Sequence, residues 1–429
     1  MALITGTGKQ IAYNKESSWA VPNGTTYTVI RTPPGADSNV ERSQIQTAEL
    51  NPRRAVTSIR MGSHRPTVTI PPEMFYAGVT AGAQQFNDFV ESWMFNAWTA
   101  AASPIAAQTV TVGTPAATTI FTAGTSVTGI AQGDWIKVAG FTGAQVGNNG
   151  YFRVVSVSSL ALTLATPRYD LMVAGAAGGA AVTLTRVSYI SPGTTVKSLA
   201  FDETFTDFAG SITASKLSIG CLANEFSMNI APDQIITSNF SFPGRVMGVG
   251  ATRAAAATAA SQFSTISAPT AWTAAATYSP MTGNDVLMQL MVDNAKVGTI
   301  TALSFTGTNN LEQLMPIGQI YPYFMGQGTS SLSGSLTVFM EDSSYWTKYM
   351  NETAVGISIQ LMDPDNGTPT TQAAGLGYAI DIPNVKLTGL SSSTSQTNIA
   401  LTLNWQAIEN AAASTKGATT VNMRVSHLA

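Results

Sequence analysis

The sequence predicts a mainly β protein with a few short helices. It reads as two tandem β-sandwich or barrel units, with a small β domain inserted in the first. Three observations predict this. Short runs rich in Val, Ile, Thr and Phe, punctuated by Gly, Pro and Asn, fill most of the 429 residues, which is the signature of strands and turns. One arrangement occurs twice: TVTI (67–70) leads into an aromatic stretch, AQQFNDFVESWMFNAW (83–98), and SLTVF (335–339) leads into EDSSYWTKYMNET (341–353). Each is followed by a segment containing Lys-Leu and ending in alternation, SITASKLSIG…QIITSNFSF (211–242) and AIDIPNVKLTGL…NIALTLNW (379–405).

The first unit comprises residues 1–103 and 191–250. Its helix is predicted over 83–98, where Phe86, Phe89, Val90, Trp93, Met94 and Ala97 fall on one face at helical spacing. An aromatic stripe of this kind packs on a sheet far more often than it holds a cofactor. The inserted domain, 104–190, interrupts the unit before its last strands. Trp135, Ile136, Val138, Phe152, Val154, Val155, Val157, Leu162 and Leu164 supply the alternation for a small barrel or sandwich around a GNNG turn at 147–150. An insertion of this size is tolerated at an exposed loop, so it is expected on the outside of whatever the units build. Residues 251–280 read as an Ala-rich connector. The second unit, 281–429, has its helix around Tyr345, Trp346, Tyr349 and Met350, with a short apolar helix expected near 286–291.

Composition narrows the function. Charged residues make up 10% of the chain and the formal net charge is −3, against roughly 25% charged residues in an ordinary soluble domain. A surface so poor in charge gains little dispersion from self-repulsion, and charge depletion is a property of interface cores. Much of this surface is therefore expected to become interface. One cysteine, Cys221, excludes a disulfide framework or cysteine-rich metal site and reads as a small buried residue. The N-terminus has no apolar core of a secretory signal, and no run is long enough to span a membrane as a helix. Synthesis in a cytoplasm is the expectation.

The candidate chemistry is thin. His64 and His427 stand far apart in the chain and read as surface residues. The fragment Gly6-Thr7-Gly8-Lys9-Gln10 lacks the first glycine and the Ser/Thr of a phosphate loop and opens no helix. Asp363-Pro364-Asp365-Asn366-Gly367 has its glycine one position early for a calcium loop, with no acid at the bidentate position, and reads as a turn. Asp202, Glu203 and Asp207 alternate with Phe201, Phe205 and Phe208, the pattern of a strand's wet face rather than of a carboxylate pair for glycoside cleavage. No enzymatic case survives, and no cofactor is called for. The concentrated charge lies in 41–65, where Arg42, Arg53, Arg54, Arg60 and Arg65 face Glu41 and Glu49. A long hairpin making salt-bridged contact with a neighbour fits it, a solvated hairpin being the alternative.

Taken in order, AYNKESSWAVPN (12–23), SQIQTAELNPRR (43–54), IITSNFSFPGR (235–245), GSLTVFMEDSSYWTKYMNET (334–353) and the closing NMRVSHLA resemble the tail tube proteins of long-tailed, siphophage-type bacteriophages. The resemblance covers nearly the whole chain outside the insert. It implies a β-sandwich with a flanking helix that joins its neighbours into a ring, inner sheets forming a continuous barrel. Rings then stack into a tube that conducts DNA during ejection into the host. Single-domain members form hexameric rings, so a duplicated chain is expected to build trimeric, pseudo-hexameric ones. The implied partners are other copies of the chain, a tape-measure protein, a tail terminator, and genomic DNA passing without specific binding. A host-surface glycan is a further candidate, through Trp135 or Tyr151 of the insert. The location would be the virion tail. Glu41, Arg42, Glu49, Arg53, Arg54 and Arg60 are expected at the ring-to-ring contact; Phe86, Phe89, Trp93, Tyr345, Trp346 and Tyr349 are expected to pack the two helices. Inner-barrel strands are expected near 64–70 and 334–340. The rival readings are a secreted or surface β-rich adhesin, and a tail-terminator or head-decoration protein.

Overall fold

A computed structural model of the protein describes residues 4–31, 35–48, 58–76, 85–176, 181–263, 265–274, 279–284, 289–297, 299–362, 377–394, 398–409 and 422–428. The chain is mainly β, its strands gathered in several sheets with a few short helices. The largest sheet has 13 strands, and eight of these form a run that crosses both halves of the chain. In spatial order the second half contributes β12 (Gly377–Thr394), β13 (Ile399–Ala407), β10 (Ser331–Phe339) and β9 (Ile300–Thr308). The first half continues it with β6 (Glu225–Ile230), β7 (Thr237–Pro243), β3 (Ile59–Ile70) and β2 (Asp37–Gln46). The joint is antiparallel, with Phe226 opposite Gly307 and Ser227 opposite Thr306.

Alternation along these strands decides their faces, because successive side chains point to opposite sides. Phe226, Met228, Phe240, Phe242, Leu303, Phe305, Leu336, Val338, Leu403 and Trp405 are all buried in one core. Helix α1 (Gln85–Met94) lies in that core, with Phe86, Phe89, Val90, Trp93 and Met94 buried. Its rings meet those of Phe226, Phe240 and Phe242 in edge-on contacts 5.2–6.1 Å between centroids, the geometry aromatic quadrupoles favour.

Covering layers close the core. A seven-stranded sheet carries β1 (Ile4–Ser18), β4 (Leu199–Asp207), β5 (Ile212–Cys221) and β8 (Val246–Gly250). The Ala-rich stretch contributes structure to it: α2 (Arg253–Ala260) packs on β8, and strand Ala271–Thr273 joins the sheet edge. Close approach is possible because Gly248 and Gly250 carry no side chain; a Cβ at Gly248 would fall 2.1 Å from the Ala256 carbonyl oxygen. On the other half, β11 (Val355–Met362) pairs with the first part of β12, and β14 (Arg424–Leu428) pairs with it too. Residues 289–292 are a strand on β11, not a helix, so the expectation of a helix near 286–291 fails over those residues.

Strands from Ile105–Gln108 to Val182–Arg186 form an eight-stranded sheet of their own, around a separate apolar cluster that includes Phe121, Phe152, Val154 and Leu164. At the expected GNNG turn, Asn148 ends a short 3-10 helix and the Asn149 amide bonds both backbone groups of Phe141.

Candidate assembly surface

Opposite the core, the long sheet presents a carpet of hydroxyls and amides. Register sets them in rows: Asn239, Ser227, Thr306, Ser333 and Gln406 stand side by side across five strands, and Thr237, Asn229, Ser304, Ser335 and Asn404 form the next row. Thr67 and Thr69 extend the face onto β3. Cross-strand bonds knit it, Ser304 to Ser335 and Thr308 to Ser331 at 2.9 Å each. Among the described residues of β7, β6, β9, β10 and β13, Glu225 is the one charge on this face. Those five strands offer no Lys or Arg to hold phosphate by counterion release; at the margins the same face carries Lys386, opposite Gln406, and Arg65, two residues before Thr67.

Among the described residues the sheet has two open edges: β2 pairs with β3 alone, and residues 387–394 of β12 pair with β13 alone, because β11 leaves β12 at Val385. Unpaired strand edges are templates for further strands. β2 and β3 also run past the sheet as a two-stranded ribbon with exposed Ile45 (59%), Ile59 (49%) and Met61 (56%). An isolated ribbon is marginal in water. Here its base is braced by the second half: the His64 N–H donates to the Ile320 carbonyl at 2.7 Å, and the His64 ring meets Tyr321. Glu41, Arg42 and Arg60 are exposed on this ribbon. Glu49, Arg53 and Arg54 lie outside the described residues, as does the turn at 363–367.

The two packing helices differ. Phe86, Phe89 and Trp93 of α1 are buried. In α3 (Ser344–Met350) no residue is fully buried; Tyr345 packs partly on the core, Tyr349 is half-buried, Trp346 is 40% exposed and Met350 74% exposed. The stripe in α3 thus lacks the cover that α1 has, since among the described residues no strand lies beyond the open edge of β12.

Several charged groups stand where the alternation gave the wrong face. Asp202 and Glu203 are fully buried rather than wetted, because β4 sits mid-sheet with both faces covered. Asp202 accepts from Ser215 and Trp272 and pairs with Arg253 at 3.0 Å, tying α2 down. Glu203 meets Lys9 at 2.7 Å and Lys216 at 3.1 Å, so the Gly6–Gln10 fragment is ordinary strand with its lysine engaged. His427 is also buried, not at the surface. It bonds Asn87 at 2.9 Å, meets the Trp98 ring in a tilted contact 3.9 Å between centroids, and is pushed down to about 4 by burial.

The insert is fastened by a buried polar node that sequence reading missed. Asp381 of β12 accepts from Arg153 at 2.9 Å and from Trp135 at 2.5 Å, both residues of the insert, and from Ser358 at 2.5 Å. A second pair, Arg424 with Asp134 at 2.8 Å, lies beside it. The available signal was a lone charge inside each of three apolar strands, YFRVVSV, YAIDIP and RVSHL. Trp135 and Tyr151 pack inside this seam with 1% and 3% exposure, which removes both as glycan-stacking platforms.

Among the described residues no helix is long and apolar enough to cross a membrane, and no cluster of His, Cys, Asp and Glu has metal-holding geometry. A family model described as phage tail tube protein matches residues 6–407. No curated protein matches the chain.

Proposed function

The chain belongs to the phage tail tube protein family and is a structural component of the virion tail, and from that premise we propose that it closes into rings whose continuous sheet lines a DNA conduit. The observation that carries this is the hydroxyl and amide face whose five central strands span both halves of one chain with Glu225 as their one charge. DNA must slide through such a conduit, and a stretch of wall without cations does not hold the phosphates. Strands 59–70 and 331–339 both belong to this face, in line with the inner-wall expectation.

Each chain carries the four-strand set twice, so three chains supply six sets. The proposed ring is therefore a trimer with pseudo-six-fold symmetry. Heterologous contacts of this type close when the rotation closes. The ribbon's far part bearing Arg60, with Glu49, Arg53 and Arg54 in the same stretch of sequence, is proposed to contact the next ring along the axis. Glu41 and Arg42 at the ribbon's base lie on the sheet edge that would face a neighbour in the same ring. The far part's exposed Ile45, Ile59 and Met61 are the apolar surface such stacking would cover. The inserted domain, 104–190, would decorate the tube exterior. A tape-measure protein inside and a terminator at the end are the further proposed partners.

Electron microscopy of concentrated protein, with rotational symmetry measured end-on, tests the reading. Open tubes of three-fold rings with a six-fold appearance are expected. Six whole chains per ring would remove the duplication argument, and a chain that never forms rings would remove the function.

A further inference from the structure

Resting on the ring reading above, the geometry points to a specific seam between two copies of this chain: residues 387–394 of β12 pair antiparallel with β2 of the next copy. The template is inside the molecule. TVTI (67–70) corresponds to SLTV (335–338), so Thr69 matches Thr337. From that anchor the pairings place β2 with β9, β3 with β10, β7 with β13, and β6 with the second part of β12. The sheet order of the two sets is the same. The joint within the chain, β6 on β9, is thus one instance of a contact whose next instance needs the two open edges. Its register transfers directly. Phe226 opposite Gly307 becomes Ser392 opposite Arg42, and Ser227 opposite Thr306 becomes Ser393 opposite Glu41.

The unequal helices support the same seam independently. Helix α1 reaches across the internal joint, where Trp93 covers Gly307 so closely that a Cβ there would fall 2.2 Å from the ring. By the repeat, α3 flanks the open edge of β12 with no described strand beyond it, and its Trp346 and Met350 are exposed at 40% and 74%. The occupant that completes α3 is a strand equivalent to β9. In a second copy of the chain that strand is β2.

The test uses the full chain with cysteine pairs, Arg42→Cys with Ser392→Cys and Glu41→Cys with Ser393→Cys, oxidised after assembly. Neighbouring antiparallel pairs alternate between wide and close Cα spacing, so at least one pair suits a disulfide. The native Cys221 is fully buried and does not compete. Covalent multimers ending at the ring number are expected, with several-fold less product from the slipped pair Glu41→Cys with Ser391→Cys. Equal product from the slipped pair, or tubes in the microscope with neither matched pair linking, overturns the seam and leaves the ring reading standing. A native chain that forms no rings overturns both. Hydrogen exchange on unmodified tubes is the second readout: amides of 387–394 and of β2 gain protection on assembly, and unchanged exchange at both edges overturns the proposal.

Discussion

The Trp93 ring packs on Gly307 so closely that a Cβ there would fall 2.2 Å from it, and the backbone carbonyl of Trp93 accepts from Asn309 at 2.8 Å. The first half's helix is thereby clamped to the second half's strand at the point where the two sets of strands join. Gly307→Ala puts a methyl into the ring and is expected to destabilise the chain by about 1–3 kcal/mol, the usual range for overpacking. Trp93→Ala removes the ring and is expected to cost about 3–5 kcal/mol. Denaturant unfolding measures both. If Gly307→Ala lost nothing, the clamp would not be rigid.

Asp381 joins the eight-stranded sheet of the insert to β12 of the long sheet. Asp381→Ala leaves the buried Arg153 guanidinium, 4% exposed, without its carboxylate. Removing one partner of a buried pair costs about 3–5 kcal/mol. Limited proteolysis is expected to release the insert from this variant while the rest of the chain stays folded. Deleting 104–190 outright is expected to leave tube formation intact; loss of rings on deletion would place the insert in the wall.

Much of this was legible in the sequence, and the failures share a cause. The repeat was visible because TVTI and SLTV keep strand alternation and each precedes an aromatic stripe. What alternation cannot report is whether the second face of a strand is covered. Asp202 and Glu203 looked wet and are buried because α2 closes over the first and Lys9 of β1 and Lys216 of β5 close over the second. His427 looked peripheral and is buried because the last strand tucks under Trp98. Trp346 looked like core for the converse reason: its stripe is sound, but among the described residues no strand pairs beyond 387–394 of β12 to cover it.

Two buried groups give opposite pH slopes. His427 is pushed down to about 4 from 6.5 by burial, so its contribution is complete above about pH 6.5 and is lost as pH falls through 4. That swing amounts to about 3 kcal/mol at most. Glu16, which accepts from the Ala20 and Gly220 amides at 2.7 Å each, is pushed up to about 7 from 4.5 by burial. Its contribution is complete below about pH 4.5 and is lost as pH rises through 7. Between pH 4.5 and 6.5 the two oppose each other and native stability should vary little. His427→Phe should leave stability falling as pH rises across that window, and Glu16→Gln should leave it rising. Melting temperatures across pH 4–8 decide; identical profiles in all three proteins would mean neither group titrates in the fold.

Trp346 separates assembly from folding. At 40% exposure it already buries part of its ring in the isolated chain, so Trp346→Ser combined with Met350→Ser is expected to cost the monomer about 1–3 kcal/mol, a baseline that denaturant unfolding measures. In a closed ring the same two side chains would cover a neighbour's strand, where large buried apolar and aromatic anchors each contribute roughly 2 kcal/mol or more to association. Repeated at every joint of a ring, that loss should raise the concentration needed for assembly by well over tenfold. Sedimentation of wild type and double variant over a concentration series reads this directly. Equal assembly thresholds would mean that α3 stays uncovered in the ring, and its exposed stripe would then need a different occupant.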